Sequence, residues 1–126
     1  MEFTTLVRSQ EITILTWDGK GIMRSNNEDK VFDNFTVHTL GVMEVQGKNR
    51  TYYGHLKYLA PDGDFVIFRY RLNPGEQEAT STLVEGTGKW KSITGGGKAK
   101  RTAVGKPVTE GTFQFCNNHK GTFTLP

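Results

Sequence analysis

The sequence is poor in the features that identify several large classes of protein. It has one cysteine in 126 residues, which excludes an intrachain disulfide and any zinc site built from several cysteine thiolates. It has no apolar run near the roughly 20 residues that span a bilayer. The N-terminal segment MEFTTLVRSQ lacks the apolar stretch of a secretory signal. We therefore expect no membrane segment, and the compartment stays open.

Helical periodicity is also scarce. Ser25 and Glu28 match a helix-capping pattern, but a polar loop explains that stretch equally well. Elsewhere apolar and polar residues alternate between closely spaced glycines and prolines, which is typical of short antiparallel strands. Closing such a sheet into a barrel removes its exposed edges. The sequence therefore predicts one all-β domain over residues 1–126, an antiparallel barrel of about eight strands.

The predicted strands are separated by glycine-containing turns. In chain order their sequences are EITILTW, GKGIMRS, FTVHTLGVMEV, RTYYGHLKYLA, FVIFRYRL, EATSTLVEG, KWKSI, GKAKRTAV, EGTFQFCNN and GTFTLP. We expect Asp18-Gly19 and the triple glycine at residues 95–97 to reverse the chain. Gly41, in the middle of its strand, indicates a bulge or a sharp bend.

The stretch GTGKWKSITGGGK, residues 86–98, suggests phosphate binding, but a P-loop must lead into a helix and none follows. Six basic residues and no acid lie between Lys89 and Lys106, a surface that could hold an acidic partner. Nucleic acid is disfavoured, because aromatic residues are not interleaved there in an RNA-binding pattern. The glycines are explained more simply as parts of turns and curved strands.

The sequence EGTGKWKSITGGGK resembles the repeated element of the allene oxide cyclase and dirigent barrel group. In that group a Gly-Thr-Gly-x-aromatic strand precedes a glycine-rich turn. The resemblance covers Phe35 to Leu125. It implies a calycin-like antiparallel barrel, often trimeric, with an apolar cavity for a small organic molecule. The group includes cyclases and isomerases, but its catalytic residues have no counterparts here position by position, so enzymatic activity stays open.

One face of the predicted strands is apolar and aromatic, and we expect it to line the barrel. Its candidate ligand-binding residues are Tyr52, Tyr58, Phe68, Tyr70, Trp90, Phe113 and Phe115. Buried tyrosine hydroxyls need hydrogen-bond partners, which a ligand could supply. A fully packed core is the alternative interpretation of the same residues.

The opposite face carries the candidates for acid–base catalysis: His38, Glu44, Tyr53 and His55. Hairpin pairing would bring them close together, but they can serve a ligand in the barrel only if this face points inward. If it points outward, these residues face solvent and their apolar neighbours suit a subunit interface. The sequence leaves both orientations open. Cys116 and His119 supply only half of a metal site, so we predict no metal and no other cofactor.

The predicted function is binding of a small, largely apolar organic molecule inside the barrel. A cyclase or isomerase activity is the enzymatic form of this prediction. The alternative is a non-catalytic, oligomeric interaction protein that holds an acidic partner on the surface from Lys89 to Lys106.

Overall fold

The computed structural model describes all residues from Met1 to Pro126. Eight antiparallel strands form one sheet, in which each strand pairs with its neighbours in sequence order. The strands are β1 (Glu2–Arg8), β2 (Thr13–Met23), β3 (Phe35–Gln46), β4 (Asn49–Leu59), β5 (Phe65–Leu72), β6 (Ala79–Gly86), β7 (Thr94–Gly105) and β8 (Gln114–Thr124). A single 3-10 turn at Gly88–Trp90 separates β6 from β7. The structure contains no helix of the length and apolarity needed to span a membrane.

The sheet curls until its first strand meets the residues that precede its last strand. Glu2 forms a β-bridge with Thr112, and the backbone N–H of Phe113 donates to the carbonyl of Met1 at 2.9 Å. No strand pairs with the remaining length of this edge of β8. The prediction of an all-β, antiparallel, barrel-like sheet of eight strands is therefore confirmed.

The hydrophobic core fills one end of the barrel, called here the closed end. Its buried members are Phe35, Tyr58, Ala60, Val66, Phe68, Leu83, Trp90 and Ile93. Phe32, in the loop between β2 and β3, packs against this cluster, with its ring centroid 5.2 Å from that of Trp90 and 5.7 Å from that of Phe123. Burying an aromatic or aliphatic side chain contributes about 1.5–3 kcal/mol, so this end of the barrel is the main source of stability.

Two predicted interruptions of the chain are absent. The expected turn at Asp18-Gly19 is wrong, because β2 continues through these residues and pairs them with Leu40 and Thr39 of β3. The expected break between EGTFQFCNN and GTFTLP is also wrong, because β8 runs without interruption from Gln114 to Thr124. In both places a long neighbouring strand supplies continuous ladder hydrogen bonds, which outweigh the local turn preference of glycine.

The triple glycine at residues 95–97 does not reverse the chain but begins β7. A Cβ atom on Gly97 would collide with the carbonyl oxygen of Lys120 in β8, and one on Gly96 would collide with that of Ser81 in β6. Glycine is therefore required here because neighbouring backbones approach closely. Gly41 likewise marks neither a bulge nor a bend: its pairing is regular, and the ring of Trp17 occupies the space of a side chain.

Three other segments differ from expectation or resolve an open choice. KWKSI is not a strand: Lys89 and Trp90 belong to the 3-10 turn, and Ser92 adopts a positive φ of 63°. The capping-box stretch around Ser25 contains turns and no helix. Glu2–Arg8, to which the sequence analysis assigned no strand, forms β1 by pairing with β2.

Candidate functional site

The four candidate catalytic residues lie on the outer face of the sheet. Alternation on β3 and β4 turns Thr39 and Gly54 inward and buries them, so His38, Glu44, Tyr53 and His55 face outward. The His38 side chain is 42% exposed, and its Nε2 lies 2.9 Å from Asp18. Their catalytic role stays a prediction, and it would require a substrate that binds outside the barrel.

An exposed ion-pair cluster explains the position of His38. Hydrogen bonds from Lys20, whose Nζ lies 3.1 Å from the carboxylate, and from His38 hold the pKa of Asp18 below its usual range. Exposed pairs of this kind contribute little to stability, because water and salt screen them. The cluster is therefore a group of surface polar contacts between β2 and β3.

The candidate ligand-binding residues all belong to the inner side of the barrel, but the structure divides them into two groups. Tyr58, Phe68 and Trp90 are buried in the core of the closed end. The other four are only partly buried and lie toward the opposite end, called here the open end: Tyr52, Tyr70, Phe113 and Phe115. The first group is packed core, and the second group keeps partial solvent exposure.

Three aromatic rings form the floor of the open end. The ring centroids of Trp17 and Tyr52 lie 5.8 Å apart, and those of Trp17 and Tyr70 lie 6.0 Å apart. The indole N–H of Trp17 donates to the Thr39 hydroxyl at 3.3 Å, and the hydroxyls of Thr39 and Tyr70 share a hydrogen bond of 2.8 Å. Burial raises the pKa of Tyr70 to about 12. This network satisfies the buried polar groups, so the floor is rigid and neutral.

Arg101 forms part of the wall of the open end. Its guanidinium carbon lies 4.2 Å from the ring centroid of Phe115 and 5.0 Å from that of Phe113. The four ion pairs of the protein do not include Arg101. Partial burial lowers the pKa of Arg101, while the nearby Tyr52 opposes this shift. The open end therefore presents a cation on an aromatic wall, with no acidic side chain to neutralise it.

Arg101 belongs to the basic segment from Lys89 to Lys106 that was expected to form one surface, but its side chain faces inward against Phe113 and Phe115. The inward position of Arg101 could have been predicted from the alternation of β7. In this strand Gly97, Ala99 and Arg101 occupy one face, while Lys98 and Lys100 occupy the other. The charges of this strand therefore lie on both faces, and a bulge after Arg101 ends the alternation.

His119 is a second inward-facing group that the sequence analysis did not assign to the interior. It pairs with Ala99 of β7, and its ring centroid lies 6.4 Å from that of Tyr58. Burial lowers the pKa of His119, which favours the neutral imidazole. Cys116 is exposed and, three residues away on the same strand, faces the opposite side of the sheet, so the two residues do not converge.

The basic segment from Lys89 to Lys106 does not form one continuous surface. Lys89 lies on the 3-10 turn, 4.0 Å from Asp62, and Arg101 faces the open end. Lys98, Lys100 and Lys120 instead line a groove of about 420 Å³ on the outer face of β7 and β8. The groove is called here the basic groove; its three lysines outnumber its one acidic residue, Glu78, and no apolar side chain lines it.

Comparisons of the chain with protein-family models, with curated proteins and with solved structures find no match. The resemblance to the allene oxide cyclase and dirigent group therefore stays a prediction, as do the calycin-like classification, the trimer and the isomerase activity that it implies. The chemistry of the open end and of the basic groove is the basis for assigning a function.

Proposed function

We propose that the protein binds a small organic molecule in the open end of the barrel. The observation that carries this proposal is the incomplete burial of the inward-facing rings of Tyr52, Phe113 and Phe115. At the closed end, by contrast, Tyr58 and Trp90 are 3% and 7% exposed. A ligand that covers the exposed rings gains about 25 cal/mol for each Å² of apolar surface removed from water. Apolar walls with a few oriented polar groups are typical of ligand sites.

The unpaired guanidinium of Arg101 specifies the polar end of this ligand. A guanidinium fork matches the two oxygens of a carboxylate, and such charge-assisted bonds strengthen as water is excluded. Arg50 adds positive charge nearby, since its guanidinium carbon lies 6.0 Å from the ring centroid of Tyr52. The ligand class is therefore a flat or short-chain apolar molecule that carries one carboxylate.

An isomerase or cyclase reaction on this ligand remains the enzymatic form of the proposal. His119 faces inward beside Tyr58, and its neutral imidazole can accept a proton only from a molecule that reaches from the open end to this position. The tyrosine hydroxyls of the open end can donate hydrogen bonds to its carbonyl or ether oxygens. Binding is the primary claim, and the proposal does not depend on turnover.

The test is isothermal titration calorimetry with 2-naphthoate and its neutral analogue 2-naphthamide. We expect saturable binding of both and tighter binding of the carboxylate. Replacing Arg101→Met should weaken binding of the carboxylate by about tenfold and leave the amide unchanged. The matched control is Arg71→Met, because Arg71 also lies over an aromatic ring, at 5.5 Å from Tyr53, but on the outer face. Failure of both probes to bind, together with failure of an apolar fluorescent dye, would refute the proposal.

A second function is favoured by the basic groove. Lys98 and Lys120 are directly opposite each other on β7 and β8, and neither forms an ion pair. Like charges in this position repel each other, so an acidic partner would relieve a cost that the free protein carries. We propose such a partner as the alternative. Poly-glutamate should bind with an affinity that falls steeply as salt is added, and the double variant Lys98→Glu, Lys120→Glu should abolish the binding.

A further inference from the structure

The sheet has a gap between β2 and β8, where part of each strand has no strand partner on that side. β1 pairs with β2 from Thr13 to Asp18, so Gly19–Met23 of β2 have a strand partner only on the β3 side. On the other flank, hydrogen bonding between β1 and the β8 side ends at Phe113. The edge of β8 from Gln114 to Thr124 is therefore unpaired.

The strand registers show how a further strand would lie in this gap. Glu2 pairs with Asp18 on one side and with Thr112 on the other, and both pairings are antiparallel. A strand placed in line with β1, with its C-terminus toward Met1, would continue both registers. It would pair with Gly19–Met23 on one flank and with β8 on the other, antiparallel to both.

The inner side of the gap is only partly covered, chiefly by the ring of Phe32 against Phe123. Asn117 and Gly121 share the inward-facing alternation of β8 but are exposed, and Phe123 on the same face is 37% exposed. A Cβ atom added to Gly21 of β2 would meet no other atom within 4 Å. In a complete barrel a neighbouring strand would cover these positions.

The backbone groups along the gap are oriented for pairing. Because the N–H of Phe113 bonds toward β1, alternation directs the N–H and C=O groups of every second residue of β8 into the gap. The residues whose backbone groups point into the gap include Phe115, Asn117 and His119. Natural sheets usually shorten, cover or interrupt such an edge, whereas β8 extends over 11 residues with no proline and no bulge on its own strand.

The charges around the gap restrict the strand that fits it. Its outer rim carries Lys20 on β2, which is already paired with Asp18, and the unpaired Lys120 on β8, with Lys98 of the basic groove directly behind it. Its inner side meets Met23, Phe115 and small or neutral residues. A strand with acidic side chains outward and apolar side chains inward complements both sides.

We propose that this gap is a docking site for an extended segment of a partner protein, with apolar and acidic residues in alternation. The segment would complete the barrel wall by main-chain hydrogen bonds to β2 and β8, and its outward acidic side chains would pair with Lys120 and Lys98. The acidic character of the partner rests on the second function proposed above. The proposed position and direction of the added strand do not rest on that function, because they follow from the strand registers alone.

The probe is a fluorescent, end-blocked peptide that alternates valine and glutamate over about eight residues, the length of an ordinary strand. Fluorescence polarisation should show saturable binding. Amide hydrogen exchange should slow at residues 19–23 and 114–124 when the peptide is present. A peptide with the same side chains but methylated backbone nitrogens on one edge should bind about tenfold more weakly, because it cannot form the ladder.

Two protein variants test the two kinds of contact. Lys120→Glu should weaken binding by about tenfold, whereas the matched control Lys57→Glu, on the outer face of β4, should not. Asn117→Pro removes an N–H that points into the gap and should weaken binding similarly. The methylated peptide keeps the test valid if this proline variant does not fold.

The outcomes separate the two proposals. If an acidic peptide with proline at every second residue binds as tightly as the alternating peptide, the acidic partner stands and strand addition is overturned. If the peptide that alternates valine with lysine binds equally well and slows exchange at the same residues, the strand geometry stands and the acidic partner is overturned. If the protein alone forms a dimer that protects residues 114–124, a second copy occupies the gap and the proposed partner strand is overturned.

Discussion

Phe32 lies in a loop, yet removing its side chain should strongly lower the free energy of unfolding. It lies between β2 and β3, is partly buried, and contacts five other aromatic rings. Their centroid distances from Phe32 are 5.4 Å for Phe35, 5.8 Å for Tyr58, 6.1 Å for Phe68, 5.2 Å for Trp90 and 5.7 Å for Phe123. These rings come from four separate strands and the 3-10 turn, so Phe32 is the plug of the closed end.

The substitution Phe32→Ala should lower the free energy of unfolding by about 3 kcal/mol, the lower part of the range for removing a buried phenylalanine. The lower part applies because the ring is not fully buried. Phe32 also has a positive φ of 58°, which costs roughly 1 kcal/mol for a residue with a Cβ atom. Phe32→Gly should therefore lower the free energy of unfolding by no more than Phe32→Ala does, although glycine usually destabilises a protein relative to alanine.

Urea denaturation followed by tryptophan fluorescence measures both variants. With a slope of about 2 kcal/mol per molar urea, the midpoint should fall by about 1.5 M for Phe32→Ala. The control Phe32→Leu keeps an apolar side chain, so its urea midpoint should fall by less than half as much. A loss below about 1 kcal/mol for Phe32→Ala would refute the role of Phe32 as a plug.

Two further predictions test other parts of the interior. Gly41→Ala should destabilise the protein by about 1–3 kcal/mol, because the new methyl group displaces the ring of Trp17; Gly21→Ala, where the space is open, should be neutral in the same urea titration. Burial lowers the pKa of His119, so the unfolded chain binds this proton more readily and stability falls as pH drops below about 6.5. The urea midpoint of His119→Gln should therefore fall less than that of the wild type on acidification, and equal falls would contradict a buried His119.

The repeating pattern of the chain was sufficient to predict the class of fold. One face of the sequence FVIFRYRL is apolar or aromatic throughout, and the segment forms β5 with Val66, Phe68 and Leu72 of that face buried. Period-two alternation survives in the structure because each side of a strand meets a different environment, so local pattern and final burial agree. The same alternation placed Tyr52, Tyr58, Phe68, Tyr70 and Phe115 on the inner side of the sheet.

The structural roles of several glycines were predicted wrongly from their local sequence. Gly19, Gly41 and Gly97 were expected to turn or bend the chain, but each lies within a strand where another atom occupies the space of a side chain. A glycine that frees the backbone and a glycine that admits a neighbour look identical in sequence. The neighbour of Gly41 is Trp17, and that of Gly97 is a carbonyl in another strand, so only the tertiary contacts distinguish the two uses.

The sequence by itself determined that this chain forms antiparallel strands with one aromatic face, because alternation is a local property of neighbouring residues. Only the tertiary structure decided which face turns inward, that Arg101 joins the aromatic wall while His38 does not, and that the wall is incomplete beside β8. Those features depend on the curvature of the sheet and on the registers between strands, which bring together residues far apart in the chain.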